Sequence, residues 1–279
     1  MRDNVLMGKI FKKAVAVLMY LITLVYIAPF YICIVYSLKN REETALSPIG
    51  LPAKIHFENY IRAVEVSSFF NALKNSFIVT VFSVIIIIIA SSMAAYIISR
   101  YNNKFYNVIY YLFLASIMLP FQVIMFPFYK MMFNLHLINT LPGLIIALAG
   151  INLGFNFFLY TGFVKTVPRS MEESAVIDGC SLYRTFWQII FPLLKPINVT
   201  VIILSALGCW NDFQTSLILV QKKNVSTLPL VQYYFMGQYS SELNMAFAAI
   251  ILSMIPILLF YLFAQKHIIR GVTAGAVKG

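Results

Sequence analysis

The sequence predicts an all-α membrane protein: six transmembrane helices, with a helical polar segment between the fourth and the fifth. Three observations lead there. The chain of 279 residues is 61% hydrophobic and only 11% charged, far from the balance of a soluble domain. Apolar runs of at least the roughly 20 residues that cross a bilayer lie at 14–38, 75–99, 105–129, 141–164, 197–220 and 243–265. One stretch, PRSMEESAVIDGCSLYRTFWQIIFPLLKP (168–196), instead gathers Arg169, Glu172, Glu173, Asp178, Arg184 and Lys195. This composition excludes a soluble enzyme with a single core. The net charge of +11 raises the question of nucleic acid. However, the basic residues flank apolar runs and do not form a patch, which fits membrane orientation. Cys33, Cys180 and Cys209 are odd in number and indicate neither a disulfide framework nor a metal site.

Taken in order, residues 1–13 carry Arg2, Lys9, Lys12 and Lys13 and start the first span on the inside. The apolar run after them is too long for a signal-peptide core, and no small-residue cleavage site follows. Residues 39–74 are charged and broken by Pro48, Gly50 and Pro52; they read as an external segment, with FENYIRAV (57–64) as a short surface helix. The second span closes on Arg100 and Lys104 in a short internal turn. The third contains Pro120 and Pro127, which kink a helix where neighbours or a cavity satisfy the freed backbone. Gln122 between them faces either a polar path or a neighbouring helix. His136, in the external turn 130–140, has no second ligand at metal spacing. In the fourth span Gly150 and Gly154 form a G-x-x-x-G, a motif of close helix packing. The fifth holds Trp210-Asn211-Asp212-Phe213. An ionisable residue there faces a bundle interior or water, so Asn211 and Asp212 are candidates for pathway lining or helix packing, with an interfacial position the other reading of Asp212. Residues 221–242 are polar and aromatic, as in an interfacial belt. The sixth span contains Pro256 and is followed by Lys266, His267 and Arg270. Lys and Arg are more frequent on the side of both termini and the polar stretch, which the positive-inside rule places inside.

The polar stretch has its own local logic. Pro168 stops what precedes it, and Ser170 with Glu173 reads as a capping box that starts a helix. Gly179 ends that helix, because glycine tolerates the left-handed conformation a helix end needs. A second segment has an apolar stripe of Leu182, Phe186, Ile189, Ile190 and Leu193, with Ser181, Arg184, Thr185 and Gln188 off it, closed by Pro192 and Pro196. A short helix, a glycine turn and an amphipathic helix between spans make a docking surface.

Glu173-Ser174-Ala175, then Gly179, then Ile189-x-Phe191-Pro192 resembles the EAA loop of ABC importer permeases, in the carbohydrate (maltose-type) branch and the subunit with the short C-terminal tail. Ser174 stands where the family has alanine and Phe191 where it has leucine. MLPFQVIMFP (118–127), Trp210-Asn211-Asp212-Phe213 and RGVTAGAVKG (270–279) are similar to the same family. The resemblance implies a type I ABC importer permease bundle with a cytoplasmic coupling helix. It would comprise a cytoplasmic N-terminus (1–13), a permease domain (14–265) that includes the loop 165–196, and a cytoplasmic tail (266–279). It also implies half of a translocation pathway for a sugar or oligosaccharide in a bacterial cell membrane, with both termini inside. Glu173, Ser174, Ala175, Asp178, Gly179, Ile189 and Pro192 would couple to an ATPase. Gly271, Thr273, Gly275 and Lys278 would meet the ATPase through the tail. Tyr233, Tyr234, Gly237, Gln238 and Tyr239 would contact the binding protein. The implied partners are a second permease in a heterodimer, two copies of an ABC ATPase, an extracellular or periplasmic solute-binding protein and membrane lipid, but no nucleic acid. No cofactor is implied for this chain, ATP being bound by the partner ATPase. The chain lacks a G-x-x-x-x-G-K-[ST] phosphate loop and a Ser/His/Asp constellation, so an enzyme is not expected. The alternative is a secondary, ion-coupled transporter, for which only Asp212 qualifies as an intramembrane ionisable group. The sugar itself is left open.

Overall fold

The computed structural model describes the backbone of residues 2–101, 103–238 and 242–276, and side chains within 12–101, 103–233 and 242–266. Among the described residues the regular structure is helical throughout. In chain order the helices are α1 (Arg2–Ser37), α2 (Arg41–Leu46), α3 (Glu58–Ser67), α4 (Phe69–Arg100), α5 (Lys104–Met118), α6 (Phe121–Asn134), α7 (Leu141–Val164), α8 (Ser170–Ile177) and α9 (Leu182–Thr185). A π-helical turn (Phe186–Ile190) leads into α10 (Phe191–Leu193), α11 (Lys195–Trp210), α12 (Gln214–Leu219), α13 (Leu228–Gln238) and α14 (Leu243–Ala276), with a 3₁₀ turn at Lys223–Val225. By length and composition α1, α4, α7 and α14 each suffice to cross a membrane. Two bent pairs, α5 with α6 and α9–α10 with α11, bring the number to as many as six.

Two expected spans are not continuous. The third breaks at Leu119–Pro120, where the axes of α5 and α6 differ by 108°. The cause is local. A residue before proline is pushed out of the helical region, and Leu119 is extended at φ −79°, ψ 114°. Pro127 is accommodated inside α6. The fifth span ends early, at Trp210, and resumes as α12 after Asn211–Phe213. The 16 residues of α11 reach about 24 Å at 1.5 Å each, short of the ~30 Å hydrocarbon core. At the C-terminus, α14 runs on through the region expected as a tail, to Ala276.

The chain divides into two compact units. The first comprises Met1–Phe69 and Gln232–Ile255. Its α1 is apolar and exposed from Lys12 to Ile32. At the end of α1 the chain folds into a polar knot. Lys39 is fully buried and its Nζ donates to the Ser47 carbonyl at 2.6 Å. The Asn59 amide donates to the carbonyls of Ser37 and Lys39 at 2.9 and 2.8 Å. The Asn244 amide donates to Tyr36 O at 2.8 Å and Thr44 Oγ1 at 2.7 Å. Buried polar groups must find such partners, since an unmade hydrogen bond costs more than a made one gains.

The second unit comprises Phe70–Val231 and Pro256–Gly279. Here α7 is the central element. Tyr110 and Phe113 of α5 pack on Phe157, with the Phe113 and Phe157 rings stacked at 4.3 Å. On the α11 side, Tyr160 donates to Asn198 Oδ1 at 2.6 Å and Ser205 to Asn156 Oδ1 at 3.2 Å. Ser83 of α4 donates to Ile145 O at 3.1 Å. The G-x-x-x-G reading holds for one glycine only. A Cβ on Gly154 would overlap Ser116 Oγ and lie 3.2 Å from Phe113 O, whereas one on Gly150 would meet nothing within 4 Å.

Gly154→Val is therefore expected to push α5 off α7 and destabilise the unit by about 1–3 kcal/mol, while Gly150→Val leaves stability unchanged. Thermal melting of the two purified variants in detergent checks this, and equal melting points would refute the contact.

Candidate functional site

The site is built on the segment between α7 and α11. Its first helix, α8, begins one residue earlier than a capping box would have it. Ser170 is already helical, and Arg169 occupies the N-cap with no side-chain cap bond. Pro168 explains the shift, because its fixed φ suits the residue that opens a helical turn, and Glu172 N already bonds Arg169 O at 2.9 Å. The Ser174 hydroxyl, where relatives of this type have alanine, donates to Ser170 O at 2.9 Å and is thereby satisfied within the helix.

The end of α8 is a Schellman motif. Cys180 N bonds Ala175 O at 2.9 Å, Gly179 N bonds Val176 O at 3.0 Å, and Gly179 has φ +78°. A Cβ there would meet open space, so only the backbone conformation demands glycine. Ser181 then caps α9, its Oγ accepting from Arg184 N at 3.3 Å, a cap the sequence reading missed.

The apolar stripe of the second helix also differs. Thr185, Phe186, Ile190 and Leu194 are buried, while Leu182 and Leu193 are exposed. Thr185 therefore faces inward, although the pattern placed it off the stripe. The π turn explains this. Phe191 N bonds Phe186 O, so each turn holds an extra residue and the buried face rotates. That wider turn stands directly before Pro192, which has no N–H to donate and whose ring crowds the preceding turn. Pro192 thus sits within the helical run, and Pro196 opens α11. Phe191, in place of the family's leucine, joins an aromatic cluster with Trp187 at 4.9 Å and Phe186 at 5.9 Å.

A charged clasp holds this loop to α4. Arg100, at the end of α4, donates through Nε to Glu172 Oε1 at 2.6 Å, and its Nη2 lies 2.6 Å from the same oxygen. Nη2 also donates to Val167 O at 3.0 Å, and the Tyr96 hydroxyl to Glu172 Oε2 at 3.2 Å. The Tyr96 ring packs on Phe186 at 5.4 Å. Glu172 was not singled out from the sequence. The available signal was Arg100, a cation closing a span on the side where two adjacent acids are expected.

With its inner face anchored, the loop presents Glu173, Ser174, Val176, Asp178, Gly179 and Tyr183 to solvent, and Ile177 is 85% exposed. Of the expected coupling residues Ala175 is buried and Ile189 half-buried, while Pro192 is exposed. Apolar side chains held out by a rigid frame are what a partner protein binds.

The polar residues of the spans lie elsewhere. Asp212 caps α12: its carboxylate accepts from the Thr215 hydroxyl at 2.8 Å, from Ser216 N at 3.0 Å and from the Ser216 hydroxyl at 3.1 Å. It is consumed by its own chain, which explains why the helix stops at Trp210. Gln122 Nε2 donates to Gln214 Oε1 at 3.3 Å, joining the two broken spans at their breaks, and Asn211 is exposed beside them in sequence. Tyr233 is exposed at the side of α13. Tyr239 and Lys278 lie outside the described residues, as do the side chains of Tyr234, Gln238 and Thr273. Gly237 falls on α13, and Gly271 and Gly275 on α14.

Apolar helices long enough to cross a membrane, with an exposed and internally braced polar loop between two of them, are the architecture of a membrane permease. The chain belongs to the family of binding-protein-dependent transport system inner membrane components, whose model matches residues 86–274. It is 39% identical over 256 residues to the multiple sugar-binding transport system permease protein MsmG of Streptococcus mutans, covering 90% of this chain and 91% of that one. It is 36% identical over 257 residues to the probable starch degradation products transport system permease protein AmyC of Thermoanaerobacterium thermosulfurigenes, covering 92% and 93%. To the melibiose/raffinose/stachyose import permease protein MelC of Bacillus subtilis it is 33% identical over 268 residues, covering 96% and 97%. Its fold is similar to a chain in the crystal structure of a bacterial ABC transporter involved in import of the acidic polysaccharide alginate, with a TM-score of 0.80 at 23% identity and coverage of 92% and 96%. The protein is a multi-pass permease of the cell membrane, a transport component and not an enzyme.

The clasp predicts strong coupling between two residues far apart in sequence. Glu172→Ala and Arg100→Ala should each destabilise by about 2 kcal/mol, the scale of hydrogen bonds to charged groups. Together they should destabilise by much less than the sum. A double-mutant cycle by thermal melting measures this, and strict additivity would refute the clasp.

Proposed function

We propose that the chain is one of two permease subunits of an ATP-driven importer for a carbohydrate, with the loop 165–196 receiving the ATPase. The single observation behind this reading is the loop. It is rigid on its inner face, through the clasp and the glycine turn, and apolar on its outer face, at Val176, Ile177 and Tyr183. The named relatives are permeases for sugars or starch fragments, which supports a sugar or oligosaccharide as cargo. A related fold occurs in an alginate transporter solved with a periplasmic protein carrying an alginate pentasaccharide. That supports a solute-binding protein as a partner here; a second permease and two ATPases complete the proposed importer. ATP is bound by those ATPases, and this chain needs no cofactor of its own.

In this mechanism the ATPase dimer grips the exposed side of α8 and Gly179. Closure displaces the loop, and the spans exchange outward for inward access because the ATPase makes different contacts in the two states. Glu173, Ser174 and Asp178 form the polar part of the docking face. Ala175 and Ile189 shape it from beneath, and Pro192 adds to its exposed surface. Residues 271–278 approach the ATPase from the C-terminus, and Tyr233 to Tyr239 meet the binding protein. Gln122 and Asn211 line the pathway at the two helix breaks. Asp212 is spent on its cap, which leaves no free intramembrane carboxylate among the described span residues for coupling to an ion.

Gly179→Asp tests the loop. Left-handed aspartate costs about 1–2 kcal/mol, too little to unfold the bundle, but it places bulk and charge on the docking face. The expected result is normal membrane abundance, poor co-purification of the ATPase and reduced sugar uptake. Normal uptake at normal abundance would remove the loop from the mechanism.

Orientation has a separate test. A membrane-impermeant maleimide applied to intact cells should modify Lys54→Cys and Lys222→Cys, both exposed, and leave Cys180 unmodified. Labelling of Cys180 from outside would invert the proposed topology.

A further inference from the structure

We propose that residues 46–51, in the segment after α1, insert into the lipid leaflet at that end of the helix and anchor the segment to the membrane. On the reading proposed above this is the outer leaflet, and only that assignment rests on it.

The first observation is depth. The Tyr31 hydroxyl donates to the Ile49 carbonyl at 2.7 Å. Tyr31 lies six residues before the end of α1 at Ser37, about 9 Å along its axis. The charge-free run is 14–38. About 20 residues centred on it occupy the hydrocarbon, and Tyr31 is among them. The chain therefore leaves α1, forms the polar knot around Lys39, and folds back along the helix towards the bilayer.

The second observation is chemistry. Residues 44–53 carry no charge between Glu43 and Lys54. Leu46, Ile49 and Leu51 are exposed by 87, 72 and 75%, with no described residue of this chain covering them. Several of the polar backbone groups beneath are accounted for within the chain. Ser47 O accepts from Lys39 Nζ, Ile49 O from Tyr31, and Ala53 N donates to the Glu43 carboxylate. Pro48 and Pro52 have no N–H to leave unsatisfied. Those particular groups need no water, which the lipid interior does not supply. A loop facing water needs neither the tyrosine tether nor the missing donors. Continuity with the exposed apolar surface of α1 makes lipid the occupant.

The test is nitroxide labelling of Leu46→Cys, Ile49→Cys and Leu51→Cys in a background without the native cysteines, with Lys54→Cys as reference. The importer complex is reconstituted in phosphatidylethanolamine–phosphatidylglycerol vesicles. Collision with oxygen, which concentrates in lipid, is compared with collision with a water-soluble nickel chelate. The oxygen-to-nickel ratio should be several-fold higher at 46, 49 and 51 than at 54. A ratio equal to that at 54 would place the loop in water. Low access to both probes would place it under a partner protein. Either result overturns the proposal. Sugar uptake by the same variants reports on the importer reading separately.

Discussion

A helix that breaks inside a bilayer leaves backbone donors and acceptors that no water can reach, and each must be satisfied by the protein. This chain interrupts two of its apolar runs, at Leu119–Pro120 and at Asn211–Phe213, and side chains hold the backbone around and after the second. The Asp212 carboxylate caps α12. Asn139, itself at φ +59°, accepts from the backbone N–H groups of Gln221 and Lys222 at 2.6 and 3.0 Å and donates its own to Leu219 O at 2.8 Å. Asn75 reaches the carbonyls of Asn224 and Ser226, and Ser76 Oγ accepts from Leu228 N. The irregular stretch 211–227 is thus held by side chains from α4, from the turn before α7 and from within itself.

The breaks also explain where polarity is left over. Once Asp212 is consumed, the amides of Gln122 and Gln214 remain at the two interruptions, paired to each other through one bond only. Each amide offers further donors and acceptors. That is the chemistry suited to passing hydroxyl-rich cargo without holding it by charge. It accords with the sugar-related names of the relatives and sits poorly with an ion-coupled transporter, which needs an accessible intramembrane charge.

On the side of the docking loop the governing interaction is the buried pair Arg100–Glu172. A pair this enclosed, with both partners further hydrogen-bonded, is geometrically exacting. It fixes α8 against the end of α4 while leaving the opposite face of α8 free. The adjacent acids are thereby divided. Glu172 turns inward and is structural, while Glu173 turns outward and is exposed.

The sequence by itself determined the membrane class, the apolar runs, the glycine turn at 179 and the position of the polar loop. Each is written in residues close together in the chain, as hydrophobic length or as a single backbone requirement. The family resemblance was legible for the same reason, since its motif is one short segment. What the tertiary structure decided rests on residues far apart or on competition between local signals. Nothing local says that Glu172, and not Glu173, meets Arg100 across 72 residues of chain, or that Gly154 alone touches α5. Nothing local says that Asp212 binds the start of α12 instead of lining a pathway, because a carboxylate in an apolar run reads the same until the hydroxyls and amides of Thr215 and Ser216 are seen to fold back onto it. Periodicity also misassigned Thr185, since a π turn shifts the buried face by one residue and the pattern assumed a constant 3.6 per turn.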